Sequence, residues 1–569
     1  MKAVNIILLI LCLPFLVFSQ NRYDVVIDEI MADPTPQVGL PNNEWLELRN
    51  TSASSINLQG WRIGDATGQS GPMPDFILQA DSFVIVCPGS AVTSMSAFAT
   101  TISVTGFPSL DNDGDQLFLR AANGQTIHAV TYSILWYQNE LKKDGGWTLE
   151  MVDSKTPCAG SGNWKASINL QGGTPGKKNS VDAVNNDQTG PKLKYAYTID
   201  SVSIIVVFDE PIDSLKGATP ANYIIDGGLS VASATTLPPL FNMVQLKLNS
   251  RVLPNTVYNL AVSNVTDCKN NTIGNSNKAK LGLPLEAAPL DVVINEILFN
   301  PKSNGHDYVE FYNQSNKIFD ASKLYAANRN SSGVISSIKQ ILSTPFYIFP
   351  GDYFVITEDA ASLELNYFVQ NPGAVFILSS LPSYPDEEGD VILLNGQGAV
   401  VDEVKYKDDW HFKLIDNTEG VSLERIDPAG NSQDAANWHS ASSTAGYGTP
   451  GYQNSQYRQT QPIDAIIEIL PKIFSPDNDG RDDMVTIQYK LSEPGYVANI
   501  TIFDAQGRPI RYLVKNGTLG LNGYWNWDGL DEKGSKLPIG AYIIYTEIFN
   551  LQAKKQHFKN TVVLARMLK

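Results

Sequence analysis

The chain states one long pattern twice. Val25-Val26-Ile27-Asp28-Glu29-Ile30 returns as Val292-Val293-Ile294-Asn295-Glu296-Ile297. Each copy continues into a proline turn, Asp33-Pro34 and Asn300-Pro301. An acidic strand follows, Trp45-Leu46-Glu47-Leu48-Arg49-Asn50 in one and Tyr308-Val309-Glu310-Phe311-Tyr312-Asn313 in the other. Much later come Asn163-Trp164 with Gly173-Thr174-Pro175-Gly176, matched by Asn437-Trp438 with Gly448-Thr449-Pro450-Gly451. The spacing between the copies drifts by only a few residues. Solenoid units repeat every 20–50 residues or so, so this is duplication of a whole module. A duplicated module points to a modular binding or structural protein rather than to one catalytic centre.

Nearly every apolar segment is short and strand-like. Val25–Ile30, Phe83–Val86, Gln116–Leu119, Tyr353–Ile356, Val391–Leu394 and Val497–Phe503 are rich in β-branched and aromatic residues and are bounded by turns. Helical periodicity is confined to Asp359–Val369, where Leu363, Tyr367 and Phe368 share a face, and to the matching Pro88–Ala99. The expected fold is all-β, a tandem array of Ig-like β-sandwiches. Residues 20–180 form the first copy and 191–285 a separate Ig-like unit, after a polar linker at 181–190. Residues 290–453 are the second copy, and a linker at 454–465 leads to a C-terminal unit at 466–569.

The 569 residues carry a net charge of −17, which argues against sequence-independent nucleic-acid binding, since that needs a basic face to displace counterions. Residues 1–19 read as a secretory signal, with Lys2, an apolar run from Ile6 to Phe18, and small Val17 and Ser19 before a cut at Gln20. No later segment is long and apolar enough to span a membrane, so the expected location is secreted or outer cell surface. Cys87, Cys158 and Cys268 then remain, an odd number that cannot all pair within one chain. Cys87 reads as core, within reach of Cys158, and Cys268 lies in a distant turn.

Taken as ordered sets, the motifs resemble known families. The two copies resemble lamin-tail domains, through Ile294-Asn295-Glu296-Ile297, Tyr308–Asn313, Gly389–Asn395, Val401–Tyr406, Leu423-Glu424-Arg425, Asn437-Trp438 and Gly448–Gly451. Copy one matches with Gly114–Leu119 and Leu149-Glu150. That resemblance implies an Ig-like sandwich. The middle unit looks like the bacterial Ig-like domain of S-layer-type proteins, through Val202–Ile212, Asn222-Tyr223, Leu253–Leu260 and Val265–Ile273. Tyr258 there is similar to a corner tyrosine. The last unit resembles flagellar hook-capping and Bacteroidetes-type gliding-associated C-terminal domains. Its carriers are Phe474–Gly480, Ile500–Gly507 and Trp527-Asp528-Gly529, followed by Gly534, Pro538, Gly540 and Tyr542. This resemblance implies type IX export and surface attachment, although the tail Val562–Lys569 departs from the sorting pattern.

Catalytic signatures are missing from the sequence. None of the five histidines, His128, His306, His411, His439 and His557, has metal-ligand spacing, though His411 and His439 both fall in copy two near Trp410 and Trp438. There is no P-loop and no Gly-x-Ser-x-Gly, and no catalytic residue or cofactor is assigned. Asp477, Asp479, Asp482 and Asp483 offer hard oxygen ligands suited to calcium, or an Asx turn that caps the loop; Asp111–Asp115 is a weaker cluster of the same kind. Trp136, Tyr137 and Trp410 offer stacking surfaces for a glycan, or cover a sandwich end. Glu47 and Glu310 occupy matching strand positions and read as carboxylates that fix a neighbouring loop. The expected function is a non-enzymatic surface scaffold or adhesion protein whose partner is an extracellular protein or glycan. The alternatives are a carbohydrate-binding surface protein and a secreted hydrolase with an acidic site.

Overall fold

The computed structural model describes residues 20–457, 466–477, 479–551 and 555–566. The expected leader, with Cys12, lies outside them. The protein is all-β, built of several antiparallel sheet modules in keeping with tandem Ig-like sandwiches. It divides into two compact units, Met1–Val252 with Tyr258–Leu281, and Leu253–Val257 with Gly282–Lys569.

In the first unit, copy one forms a six-stranded sheet. Its order is Trp164–Ala166, Leu149–Met151, Val25–Met31, Trp45–Asn50, Phe83–Pro88 and Thr101–Val104. A three-stranded sheet of Arg62–Gly64, Gly114–Arg120 and Thr126–Ser133 completes it. Val26, Leu46, Leu48, Trp61, Leu117, Ile127 and Trp164 are buried in one core cluster. The Ig-like segment follows with a four-stranded sheet (Leu193–Asp200, Ser203–Phe208, Met243–Leu248, Val231–Leu237) and a three-stranded one (Tyr223–Ile225, Tyr258–Val262, Lys278–Leu281).

In the second unit, copy two repeats the six-strand order. Trp438–Ser440, Leu423–Arg425, Val292–Leu298, Tyr308–Asn313, Tyr353–Thr357 and Val375–Ile377 lie side by side. Both copies end this sheet in a parallel pair. The C-terminal segment has a three-stranded sheet, with Val485–Lys490 at its centre, and a five-stranded one containing Tyr496–Asp504 and Gly540–Asn550.

One irregularity positions everything that follows. Ile27 pairs with Leu48 but Glu29 pairs with Glu47, so Asp28 is the extra residue of a β-bulge. Copy two does the same at Asn295, between Ile294–Phe311 and Glu296–Glu310. In a regular strand, residues three apart point to opposite faces. The bulge lets Ile27 and Ile30, and likewise Ile294 and Ile297, enter the same core. It also sets Glu29 and Glu296 opposite the strand glutamates.

Two sequence expectations need correction. The copy-two helix runs Ala360–Asn366, capped by Asp359 accepting from the amides of Ala361 and Ser362. Leu363 and Tyr367 are buried, but Phe368 falls beyond the helix end and is exposed, because the chain turns extended at Tyr367. Cys158 pairs with Cys268, at a Cα–Cα separation of 6.0 Å, and Cys87 stays free and buried. Cys87 packs instead with Met31, Trp45, Ile85 and Met95.

Candidate functional site

Three strands that are neighbours in the six-stranded sheet each place a glutamate at the same level. In copy one Glu29 lies between Glu150 and Glu47, and in copy two Glu296 lies between Glu424 and Glu310. All six are fully buried. Burying carboxyl groups side by side is costly unless donors meet them. The Gly-Thr-Pro-Gly loop supplies those donors. In copy one the Thr174 amide donates to Glu29 Oε1 (2.8 Å), the Thr174 hydroxyl to Glu150 Oε1 (2.9 Å) and the Gly176 amide to Glu47 Oε2 (2.5 Å). Thr148, Ser180 and the Val181 amide complete the set.

Copy two repeats this almost bond for bond. The Thr449 amide and hydroxyl reach Glu296, the same hydroxyl reaches Glu424 (2.9 Å), and the Gly451 amide reaches Glu310 (2.5 Å). Ser455 and the Gln456 amide hold the far oxygen of Glu424. Tyr308 and Ser422 add two more donors to Glu296. Residues Asn454, Ser455 and Gln456, read from sequence as the start of a linker, are thus part of the clamp; their polarity reflects bonding to buried acids rather than solvation. The strand-carboxylate reading of Glu47 and Glu310 matches these bonds. Sequence reasoning missed Glu150 and Glu424 as partners, although Leu149-Glu150 and Leu423-Glu424 repeat with the loop.

Burial pushes Glu29, Glu47, Glu296, Glu310 and Glu424 toward their neutral forms, and neighbouring carboxylates add to this at Glu29, Glu47, Glu310 and Glu424. Glu29 and Glu424 rise to about 8, and Glu47, Glu296 and Glu310 also lie above the usual glutamate value. The copies differ at the bulge. Asn295 donates its amide to Glu310 Oε1 (2.8 Å) and Asn454 Oδ1 (2.7 Å). Asp28 is fully buried, neither of its oxygens has a hydrogen-bond partner, and Glu47 Oε1 is unpartnered too. Desolvation raises Asp28 to about 7.

A second difference sits one strand away. The Ile27 amide donates to buried His128 Nδ1 (3.0 Å), whose pKa burial depresses to about 3, so the ring stays neutral. In copy two the Ile294 amide donates instead to Asp402, which is ion-paired with buried Arg425 at 3.0 Å. His411 and His439 do come together, around Ser440. His411 Nδ1 lies 2.8 Å from the Ser440 hydroxyl, and His439 Nδ1 lies 3.0 Å from its carbonyl.

The remaining sequence candidates are placed as follows. Trp136 is half-buried, 6.3 Å from Trp164, and Trp410 sits in the same way 6.4 Å from Trp438. Tyr137 is buried and donates to the Trp147 carbonyl. Asp477, Asp479 and Asp483 bring ligand oxygens within 4.8 Å of one another. Asp482 is exposed, at φ 50°, and its backbone carbonyl accepts from the Ser475 amide. A second acidic trio, Asp187, Glu210 and Asp267, lies in the first unit.

Each unit also has a seam between its segments. In the first unit, Arg22 donates to the carbonyls of Ile212 and Leu240 and lies over the rings of Tyr23 and Phe241. In the second, Ser443 donates to the Thr518 carbonyl and Thr444 meets the Tyr489 hydroxyl at 2.7 Å.

The family model described as Lamin Tail Domain matches residues 19–133 and 286–408, so the chain contains two lamin-tail-like regions. Lamin tail domains are a non-catalytic structural family, consistent with a non-enzymatic protein. No curated protein matches the chain. Among solved structures, the N-terminal part of the bacterial S-layer protein SbsC is 14% identical over 38% of this chain and 43% of its own, with a TM-score of 0.16. A DUF4876 family protein from Bacteroides thetaiotaomicron is 14% identical over 42% of this chain and 91% of its own, TM-score 0.16. Dimeric latent PorU from Porphyromonas gingivalis is 9% identical over 71% and 35%, TM-score 0.15. The chain spans about half the length of the first of these structures. Among the described residues no helix is long and apolar enough to cross a membrane.

Proposed function

We propose that the protein is a secreted, non-enzymatic surface scaffold or adhesion protein, in which the two lamin-tail-like modules act as interaction heads. One observation carries this reading: the six ladder acids are fully buried and bonded to the chain's own loops. A carboxylate enclosed in this way cannot reach a substrate; it locks a loop in place. The division into a leader at 1–19 and modules at 20–180, 191–285, 290–453 and 466–569 belongs to this proposal. So does use of the last module for type IX export or anchoring. The disulfide supports an oxidising compartment. Fractionation of cells producing the native protein tests the reading. It expects surface or medium, and a wholly periplasmic protein would end it.

We assign calcium to the loop of Asp477, Asp479, Asp482 and Asp483 within this proposal. The convergence of three of these carboxylates supports it. Calcium then raises the melting temperature of the C-terminal module by mass action, and equal melting with calcium and with chelator removes the assignment. A glycan is the second reading. A cavity of about 230 Å³ in the first unit joins Trp136 and Trp164 to Glu210 and Asn242, an aromatic face beside polar groups. Glycan-array binding lost in Trp136→Ala or Trp410→Ala would favour it.

A further inference from the structure

Three separate stretches of the first unit bring carboxylates to one point. Asp187 comes from the polar stretch 181–190, Glu210 from just past the strand Ser203–Phe208, and Asp267 from the turn that carries Cys268. One oxygen of each lies within 4.8 Å of the other two. A calcium–oxygen bond is about 2.4 Å, so a single ion can touch all three. The segments are held close. The Asn271 side-chain amide donates to the Asp187 carbonyl (3.2 Å) and to Asp267 Oδ2 (2.8 Å). A Cβ on Gly190 would collide with the Thr272 carbonyl, so the polar stretch runs hard against this turn.

Buried acceptors without donors lie at the same place. Asp187 Oδ1 accepts from the amide and hydroxyl of Thr189, but its Oδ2 is turned inward, sealed from solvent and without a hydrogen-bond partner. Asn242 Oδ1 is sealed and unpartnered too, and Asn242 lines the 230 Å³ cavity together with Glu210. Among the described residues no hydrogen bond reaches the Glu210 carboxylate. Burial, and then Asp267, Asp209 and Asp187, push Glu210 up to about 8, while Lys192 pulls the other way. Asp267 itself is only 1% exposed. Acceptors enclosed with other acceptors are costly unless a cation meets them.

We propose that Asp187, Glu210 and Asp267 form a calcium site that pins the stretch 181–190 to the Ig-like segment. The donors are all hard oxygens. The trio has no imidazole, and the neighbouring sulfur of Cys268 is spent in the disulfide, which disfavours zinc and copper. Magnesium keeps most of its water and demands near-ideal octahedral geometry, whereas calcium accepts carboxylates gathered from three segments. The disulfide beside Asp267 belongs to an oxidising compartment, where calcium modules bind at about 10⁻⁴–10⁻³ M. The site does not depend on the C-terminal aspartate loop.

The intact mature protein carrying Asp477→Asn, Asp479→Asn and Asp483→Asn, which silence that loop, is stripped with chelator and titrated calorimetrically with calcium chloride. The expected result is one ion per chain, with a Kd of about 10⁻⁴–10⁻³ M. Glu210→Gln, and separately Asp187→Asn, weaken it at least tenfold. Neither substitution lowers the melting temperature of the metal-free protein, which shows that both variants fold. Calcium also slows hydrogen exchange in peptides spanning 183–190 and 265–273. A parent protein that binds no calcium overturns the proposal. So does binding that both variants leave unchanged, or exchange at those peptides that ignores calcium.

Discussion

Replacing Asp28 with asparagine makes the bulge of copy one chemically equal to that of copy two. Asn179 donates to the Asp28 and Met151 carbonyls as Asn454 donates to those of Asn295 and Arg425. The new amide therefore meets Glu47 Oε1, which has no hydrogen-bond partner, and Asn179 Oδ1, as Asn295 meets Glu310 and Asn454. The wild-type carboxyl has a folded pKa of about 7 against an ordinary 3.8, because burial disfavours its charge. Arg49 pulls the value down, while Glu150, Asp182 and Asp81 push it up. A folded pKa above the unfolded one means that the native state holds a proton the unfolded chain releases. The contribution is therefore whole below about pH 4, falls as pH rises, and is gone above about pH 7. A rise of about three units at ~1.4 kcal/mol each makes the loss about 4 kcal/mol. Asparagine does not titrate, so D28N flattens this part of the pH profile and is the more stable form at pH 8. Hydrogen-exchange mass spectrometry of peptides covering Val25–Met31 and Leu149–Met151, corrected for intrinsic rates, reads the local opening free energy at each pH. Equal or steeper pH dependence in D28N, or lower protection at pH 8, would refute the reasoning.

Three further outcomes follow from the same geometry. Thr449→Val removes hydroxyl bonds to both Glu296 and Glu424 and costs about 2–3 kcal/mol, seen as a lower denaturation midpoint of copy two. Arg425→Met leaves Asp402 buried without its partner and costs about 3–5 kcal/mol. Adding Asp402→His to it reinstates the copy-one arrangement of His128 and Met151, so the double variant recovers most of the loss in the same assay. Cys158→Ser opens a loop with a sequence separation of 110 and costs the first unit about 4–5 kcal/mol on the chain-entropy account; faster limited proteolysis than wild type, with no further effect of reductant, is the expected readout.

Much of the fold was legible because β modules advertise their strands locally. Val25–Ile30 and its repeat carried both the pattern and the pairing. Glu47 and Glu310 stood out because an acid on an apolar strand needs a reason. The rest depended on distance along the chain. Glu150 and Thr174 meet Glu29 only after more than a hundred residues, and no local pattern records that. The bulge was visible in hindsight as two core isoleucines three apart, an odd spacing for a strand. Cys268 sits in a turn whose local sequence gives no sign of Cys158. The linkers at 181–190 and 454–465 looked solvated because polar residues that bond buried acids, such as Ser455 and Gln456, resemble those that bond water.

The bond from Cys158 to Cys268 also decides how the first unit bears load. Tension along the chain crosses that bond directly and bypasses the intervening segment. That segment includes the last strand of copy one, its clamp loop and the opening strands of the Ig-like sheet. At about 3.4 Å per extended residue, on the order of 370 Å of contour stays out of reach of a pulling force. Under load the residues between the two cysteines stay folded into a short link, and they add length only when a reductant cuts the shortcut.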